Sequence, residues 1–170
     1  MIVSRLVQVV DLFAGPGGLG EGFSATISGK RPFRIAISVE KDSVAHRTLT
    51  LRAFVRMFTS RDRRIPVEYY WYISGKISRQ DMEGKYPVEW RAAYNEALCA
   101  ELGNPKSGHQ PEIDKKISET LRGSRNWVLI GGPPCQAYSL VGRSRMLGAL
   151  KDKSGNLVDG GKAFFKDHRH

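Results

Sequence analysis

Val9-Val10-Asp11-Leu12-Phe13-Ala14-Gly15-Pro16-Gly17-Gly18-Leu19-Gly20-Glu21-Gly22-Phe23 is a short apolar strand that runs into a glycine-rich turn and then into a helix. Glycines in such a turn let the main chain come close to a ligand. Gly15 to Gly20 satisfies the pattern G-x-G-x-x-G, and an acidic residue, Glu40, stands about 20 positions further on. Glu40 ends a second apolar run, Phe33-Arg34-Ile35-Ala36-Ile37-Ser38-Val39, so the pair reads as strand, turn, helix, strand. A carboxylate at that strand end can accept hydrogen bonds from two ribose hydroxyls. NAD and S-adenosylmethionine both carry that ribose, and the turn alone does not choose between them.

Working outward, the next decisive stretch is Gly131-Gly132-Pro133-Pro134-Cys135-Gln136, which follows the apolar run Trp127-Val128-Leu129-Ile130. Two prolines fix φ and remove two backbone donors, so the turn is stiff and holds Cys135 at the end of a strand. A cysteine so placed reads as a nucleophile. A free thiol with a pKa of about 8.5 is only a few per cent thiolate at neutral pH, so the site has to favour the anion or pass its proton on.

Periodicity predicts strands over 6–13, 33–39 and 126–131 and helices over 18–28, 42–57, 88–102 and 111–122. Alternating strands and helices imply a parallel sheet with right-handed crossovers, in which ligands gather at the carboxyl ends of the strands. Phe13, Glu40 and Cys135 are expected along that edge. The interval from Glu40 to Cys135 is longer than a plain strand-helix-strand-helix path needs, which suggests a helical insertion over about 61–105. Its run Glu68-Tyr69-Tyr70-Trp71-Tyr72 reads as the small core of that insertion in preference to a base-stacking surface.

At 170 residues with 41% apolar and 26% charged residues, the chain has the balance of one globular domain. A net charge of +10 favours a polyanionic partner, because Lys and Arg that neutralise phosphates release condensed counterions. No segment approaches the roughly 18 apolar residues of a membrane span, and the N-terminus shows no signal-peptide pattern, so an intracellular protein is expected. The two cysteines, Cys99 and Cys135, form neither a metal-ligand spacing nor a disulfide framework, and no metal is expected. Cys99 sits in a stretch of helical periodicity and reads as a small buried side chain.

Three features together, Asp-Leu-Phe-Ala-Gly at 11–15, Glu40 after the second strand and Pro-Pro-Cys-Gln at 133–136, resemble the cytosine-5 DNA methyltransferases. The match continues through Ala137-Tyr138-Ser139-Leu140-Val141-Gly142-Arg143. The resemblance implies a Rossmann-like class I S-adenosylmethionine-dependent methyltransferase fold, here a partial parallel sheet with a helical insertion. It implies S-adenosylmethionine as cofactor, S-adenosylhomocysteine as product and double-stranded DNA as substrate. In this family a thiolate adds to C6 of a cytosine swung out of the duplex, and C5 then takes the methyl group.

By resemblance Cys135 is the nucleophile. Phe13 packs on the adenine; Gly15, Gly17 and Gly18 allow close backbone approach; Leu19 lies at the methionine end, and Glu40 holds the ribose hydroxyls. Lys41 adds a backbone contact near the adenine and Pro133 lines the methyl side. Asp114 is a candidate for the adenine amino group, although its segment also reads as an exposed helix start with acidic residues suited to the dipole. Gln136 and Ser139 are expected on the DNA backbone. Arg143 and Arg145 are candidates for DNA phosphate and for favouring the thiolate, and about 135–166 is expected to form a loop that closes over DNA.

The chain has no Glu-Asn-Val tripeptide, no Gln-x-Arg-x-Arg segment and no target-recognition domain of the kind the family carries. The expectation is therefore the N-terminal part of a catalytic domain from a bacterial, cytoplasmic restriction-modification system, incomplete alone. Half of such a sheet leaves an unpaired edge, which predicts self-association or a second chain supplying the missing half; a stable monomer across dilution in light scattering would contradict this. A relative that methylates tRNA, and a non-catalytic remnant that binds cofactor or DNA, are the alternatives. An NAD-dependent oxidoreductase fits the first turn and is contradicted by Pro-Pro-Cys-Gln.

Overall fold

The computed structural model describes residues 6–25 and 30–133. The chain divides into two compact units, 1–132 and 133–170, and of the second only Pro133 is among the described residues. Among the described residues the first unit carries four strands, β1 (Val7–Leu12), β2 (Phe33–Glu40), β3 (Ala97–Cys99) and β4 (Trp127–Gly131), in the order β3-β2-β1-β4, all parallel. Among the described residues six α-helices connect them: α1 (Gly18–Ser24), α2 (Ser43–Thr59), α3 (Val67–Ile73), α4 (Arg79–Lys85), α5 (Pro87–Glu96) and α6 (Gln110–Leu121). This is the mixed α/β, all-parallel architecture expected from the sequence. Among the described residues no helix is long and apolar enough to cross a membrane.

A parallel strand flanked by helices is buried on both faces and so reads as a continuous apolar run. Ile35 to Val39 of β2 are accordingly all buried. One face of the sheet packs on α6, where Val10, Ile37 and Val39 meet Ile113 and Ala100. The register of β1 with β2 slips between Val9 and Val10, which pair with Ile35 and Ile37, so that Ala36 is the extra residue of a bulge. Beyond the bulge Asp11 lies opposite Ser38 and Leu12 opposite Val39.

A second cluster holds the middle of the chain to α2. Phe54 stacks on Trp90 with ring centroids 4.6 Å apart, and Ala53, Phe58, Met82 and Ala93 complete the buried set. Tyr69 and Tyr72 of α3 pack against it, whereas Tyr70 and Trp71 are exposed. Glu68 accepts hydrogen bonds from Lys85 and Tyr86 and so clasps α3 to the end of α4.

The helix predicted over 88–102 is corrected by the structure. α5 stops at Glu96, and Ala97–Cys99 form β3, paired with Ser38, Val39 and Glu40 of β2. Ala-Leu-Cys-Ala carries a helical pattern, but hydrogen bonding to the open edge of β2 overrides that weak preference. Cys99 is corrected with it: at the end of an edge strand it is exposed rather than buried.

Gly131 shows why the second motif begins as it does. A Cβ at this position would stand 2.3 Å from the Leu12 carbonyl oxygen, whereas one at Gly132 would meet nothing closer than 3.7 Å. The oxygen belongs to the backbone of the paired strand, so the strain has no flexible side chain to absorb it. Gly131→Ala is expected to lower stability by about 1–3 kcal/mol, read as a shift of the urea midpoint, with Gly132→Ala within ~0.5 kcal/mol of the parent. Equal midpoints for the two variants would refute this reading of the β1–β4 contact.

Candidate functional site

The carboxyl ends of β1, β2 and β3 are knitted into one edge by backbone and carboxylate hydrogen bonds. The Ala14 N–H donates to Val39 O at 3.0 Å, and the Ala100 N–H donates to Glu40 O at 3.1 Å. Glu40 ties down the turn itself: its Oε2 accepts from the Gly15 N–H at 2.8 Å and its Oε1 from the Asp42 N–H at 2.7 Å. Each carboxylate oxygen has two lone-pair sites, so each can accept once more, from a ligand hydroxyl. Asp42 in turn caps α2, accepting from the Val44 and Ala45 N–H groups at 3.0 and 2.7 Å.

The turn carries strain where a ligand is expected. Phe13, 38% exposed, has φ 55°, in the left-handed region. A bulky residue there costs about 1–3 kcal/mol, and such strain concentrates at functional sites. Gly17 has φ 91°, and a Cβ there would meet Leu49 Cδ1 of α2 at 2.9 Å, so this position needs glycine on both counts. Leu19, on the first turn of α1, is half exposed.

Of the residues singled out in the sequence, Phe13, Gly15, Gly17, Gly18, Leu19, Glu40 and Lys41 are thus gathered on the turn after β1 and the end of β2. Lys41 is exposed, with Nζ 3.2 Å from Glu101 Oε1. Asp114 lies on the exposed first turns of α6, where its carboxylate accepts from Gln110 Nε2 at 2.9 Å. Among the described residues no hydrogen bond links Asp114 to the turn. Pro133 directly follows the first unit; Cys135, Gln136, Ser139, Arg143 and Arg145 lie outside the described residues. Among the described residues no group of three or more His, Cys, Asp or Glu is placed to hold a metal ion.

Sequence reading missed Glu101. It stands two residues past β3, whose Cys99 is the residue paired with Glu40, and its carboxylate accepts from Asn104 Nδ2 at 2.8 Å and from Lys41. These two bonds, Asn104 first, hold its carboxyl below the usual carboxylate range. Its own N–H donates to His109 Nδ1 at 3.0 Å, which fixes the loop after β3. The signal that would have revealed it is β3 itself, hidden behind a helical pattern.

No family model matches the chain, and no solved structure matches it. It is similar to the Type II methyltransferase M.Bpa9945I of Bacillus paralicheniformis, with 33% identity over 162 residues that cover 88% of this chain and 35% of that protein. The chain therefore spans about a third of the length of the curated relative it matches. Likeness of this extent, on a parallel sheet whose strained glycine turn is tied to the carboxylate ending the next strand, supports a methyltransferase family for this chain.

Proposed function

We propose that this chain is the cofactor-binding and nucleophile-bearing part of a DNA cytosine-5 methyltransferase from a bacterial restriction-modification system. The observation that carries the reading is the Glu40 carboxylate, bonded to the Gly15 N–H with acceptor sites to spare beside the strained Phe13. That donor and acceptor set fits the adenosyl end of S-adenosylmethionine, which when bound supplies an electrophilic methyl group. Glu40 takes the ribose hydroxyls, Phe13 offers a ring face to the adenine, and the backbone at Gly15 and Gly17 leaves room for close approach. Glu101 is better placed than Asp114 for the adenine amino group, because it follows two residues after β3, the strand adjoining β2, and pairs with Lys41 beside Glu40.

Cys135 performs the chemistry in this reading. Its thiolate would add to C6 of the cytosine ring and make C5 nucleophilic, so that C5 could take the methyl group while the S–CH3 bond breaks and S-adenosylhomocysteine is released. Loss of the C5 proton then expels the thiolate and restores the double bond. The net charge of +10 suits the phosphate backbone of the duplex from which the base is swung out.

A duplex carrying 5-fluorocytosine tests the proposal, since fluorine at C5 cannot leave as a proton and the adduct persists. With S-adenosylmethionine present, the chain supplied with a polypeptide bearing the family's later motifs is expected to form an adduct resolved in denaturing gels, and Cys135→Ala none. Absence of an adduct with the wild-type sequence would overturn the cytosine-5 reading.

A further inference from the structure

Asp11 and Ser38 face each other across β1 and β2, and neither is used by the chemistry above. Both are sealed from solvent, at 0% and 1% exposure. Neither carboxyl oxygen of Asp11, nor Ser38 Oγ, has a hydrogen bond of good geometry. Three buried orphan atoms in one place are costly, at about 1–3 kcal/mol each if left unpaired, so their arrangement calls for a partner.

The start of α1 supplies one. The helix begins after Gly17, which has no side chain with which to cap the first N–H groups of the helix. An N-cap side chain ordinarily takes the N–H of the second or third helical residue; in α1 the third is Gly20. A Cβ on Gly20 would lie 3.3 Å from Asp11 Oδ2, which puts the Asp11 carboxyl directly beneath this residue.

We propose that Asp11 is a positioning residue: one carboxyl oxygen accepts the Gly20 N–H in place of the missing cap, and the other, protonated, donates to Ser38 Oγ. One proton then satisfies all three orphan atoms and pins the glycine turn to the sheet. The bulge at Ala36 serves this arrangement, because without the slip in register Ser38 would not stand opposite Asp11.

The surrounding charges agree. From α2 Arg56 faces this layer, but its guanidinium is engaged by Glu21 of α1 and Glu96 of α5, and β2 offers no charge opposite Asp11 beyond the neutral Ser38. Burial therefore dominates and raises the Asp11 carboxyl above its ordinary range, with Arg56 and the Gly20 amide offsetting only part. A carboxyl raised on folding stabilises the fold fully below its unfolded value, and that stabilisation is lost as pH rises through the folded one.

The inference rests on the cofactor reading only for its effect on ligand affinity. Asp11→Asn keeps an acceptor for Gly20 and a donor for Ser38 at every pH. Its melting temperature is expected to equal that of the parent at pH 4 and to exceed it by about 3 °C or more at pH 8. Asp11→Ala is expected to speed hydrogen exchange of the Gly20 amide by at least about tenfold and to weaken S-adenosylhomocysteine binding about tenfold, while Asp11→Asn binds as the parent does. Parallel melting curves for Asp11→Asn and parent from pH 4 to 8 would overturn the inference. If the parent fails to bind S-adenosylhomocysteine, the cofactor reading fails by itself, and the melting and exchange results still decide the role of Asp11.

Discussion

Glu40→Ala is expected to weaken S-adenosylhomocysteine binding by at least about a hundredfold, because hydrogen bonds to a charged acceptor contribute roughly 1.5–3 kcal/mol each and two ribose hydroxyls depend on this one. The substitution also frees the Gly15 and Asp42 N–H groups, so the turn loses the tether that places it over the sheet. Glu40→Gln keeps one acceptor oxygen and is expected to fall between, about tenfold below the parent. Calorimetric titration, with NAD as the control ligand, measures this directly. Because Glu40→Ala also loses these two tethers to Gly15 and Asp42, its urea midpoint is expected to fall, and titration at a temperature where both proteins are folded separates loss of binding from loss of fold. Affinity of Glu40→Ala within threefold of the parent would show that the carboxylate does not hold the ligand.

The largest effect on stability is expected at Arg56. This side chain is buried, and its guanidinium is shared by Glu21 and by Glu96, itself only 9% exposed. Removing one partner of such a pair strands the other charge in the interior, which costs about 3–5 kcal/mol. Against a total of about 5–15 kcal/mol for a domain, Arg56→Met should leave the first unit marginal. The deficit depends on pH in a predictable direction. Burial raises the Glu96 carboxyl and Arg56 opposes that rise, so without Arg56 the carboxyl is raised further. Its contribution is present below the unfolded value and is lost as pH rises through the folded one. The deficit should therefore be small near pH 4.5 and grow toward pH 7.5. Pairing Arg56→Met with Glu96→Leu removes both charges and is expected to recover most of the loss, since Glu21, 40% exposed at its side chain, stays solvated. Urea denaturation of the single and double variants at both pH values checks this, and a loss below 1 kcal/mol for Arg56→Met at pH 7.5 would contradict it.

The parts of the fold written in local chemistry were legible from sequence. The glycine run after Asp-Leu-Phe, the apolar run ending in Glu40 and the strand before Gly-Gly-Pro-Pro all stand within a residue or two of where their patterns put them. What sequence did not reveal is what depends on distant partners. Ala97–Cys99 becomes a strand only because β2 offers an edge, and Glu101 comes within reach of Lys41 only once that strand exists. Arg56, Glu21 and Glu96 come from three helices, and no spacing announces their meeting. Tyr69 to Tyr72 divide between core and surface by the turn of α3, a division that composition cannot show.

The order of strands also sets a timetable. β1 pairs with β2, which follows closely in the chain, but its other neighbour is β4, where Gln8 meets Trp127. At the pace of synthesis β1 waits on the order of ten seconds between its first partner and its second. Through that interval the tether between Glu40 and the glycine turn can already form, while the outer side of β1 stays open. The carboxyl edge of β1 and β2 is thus founded early by one ribbon of chain, and the sheet is sealed by the segment that leads directly to Cys135.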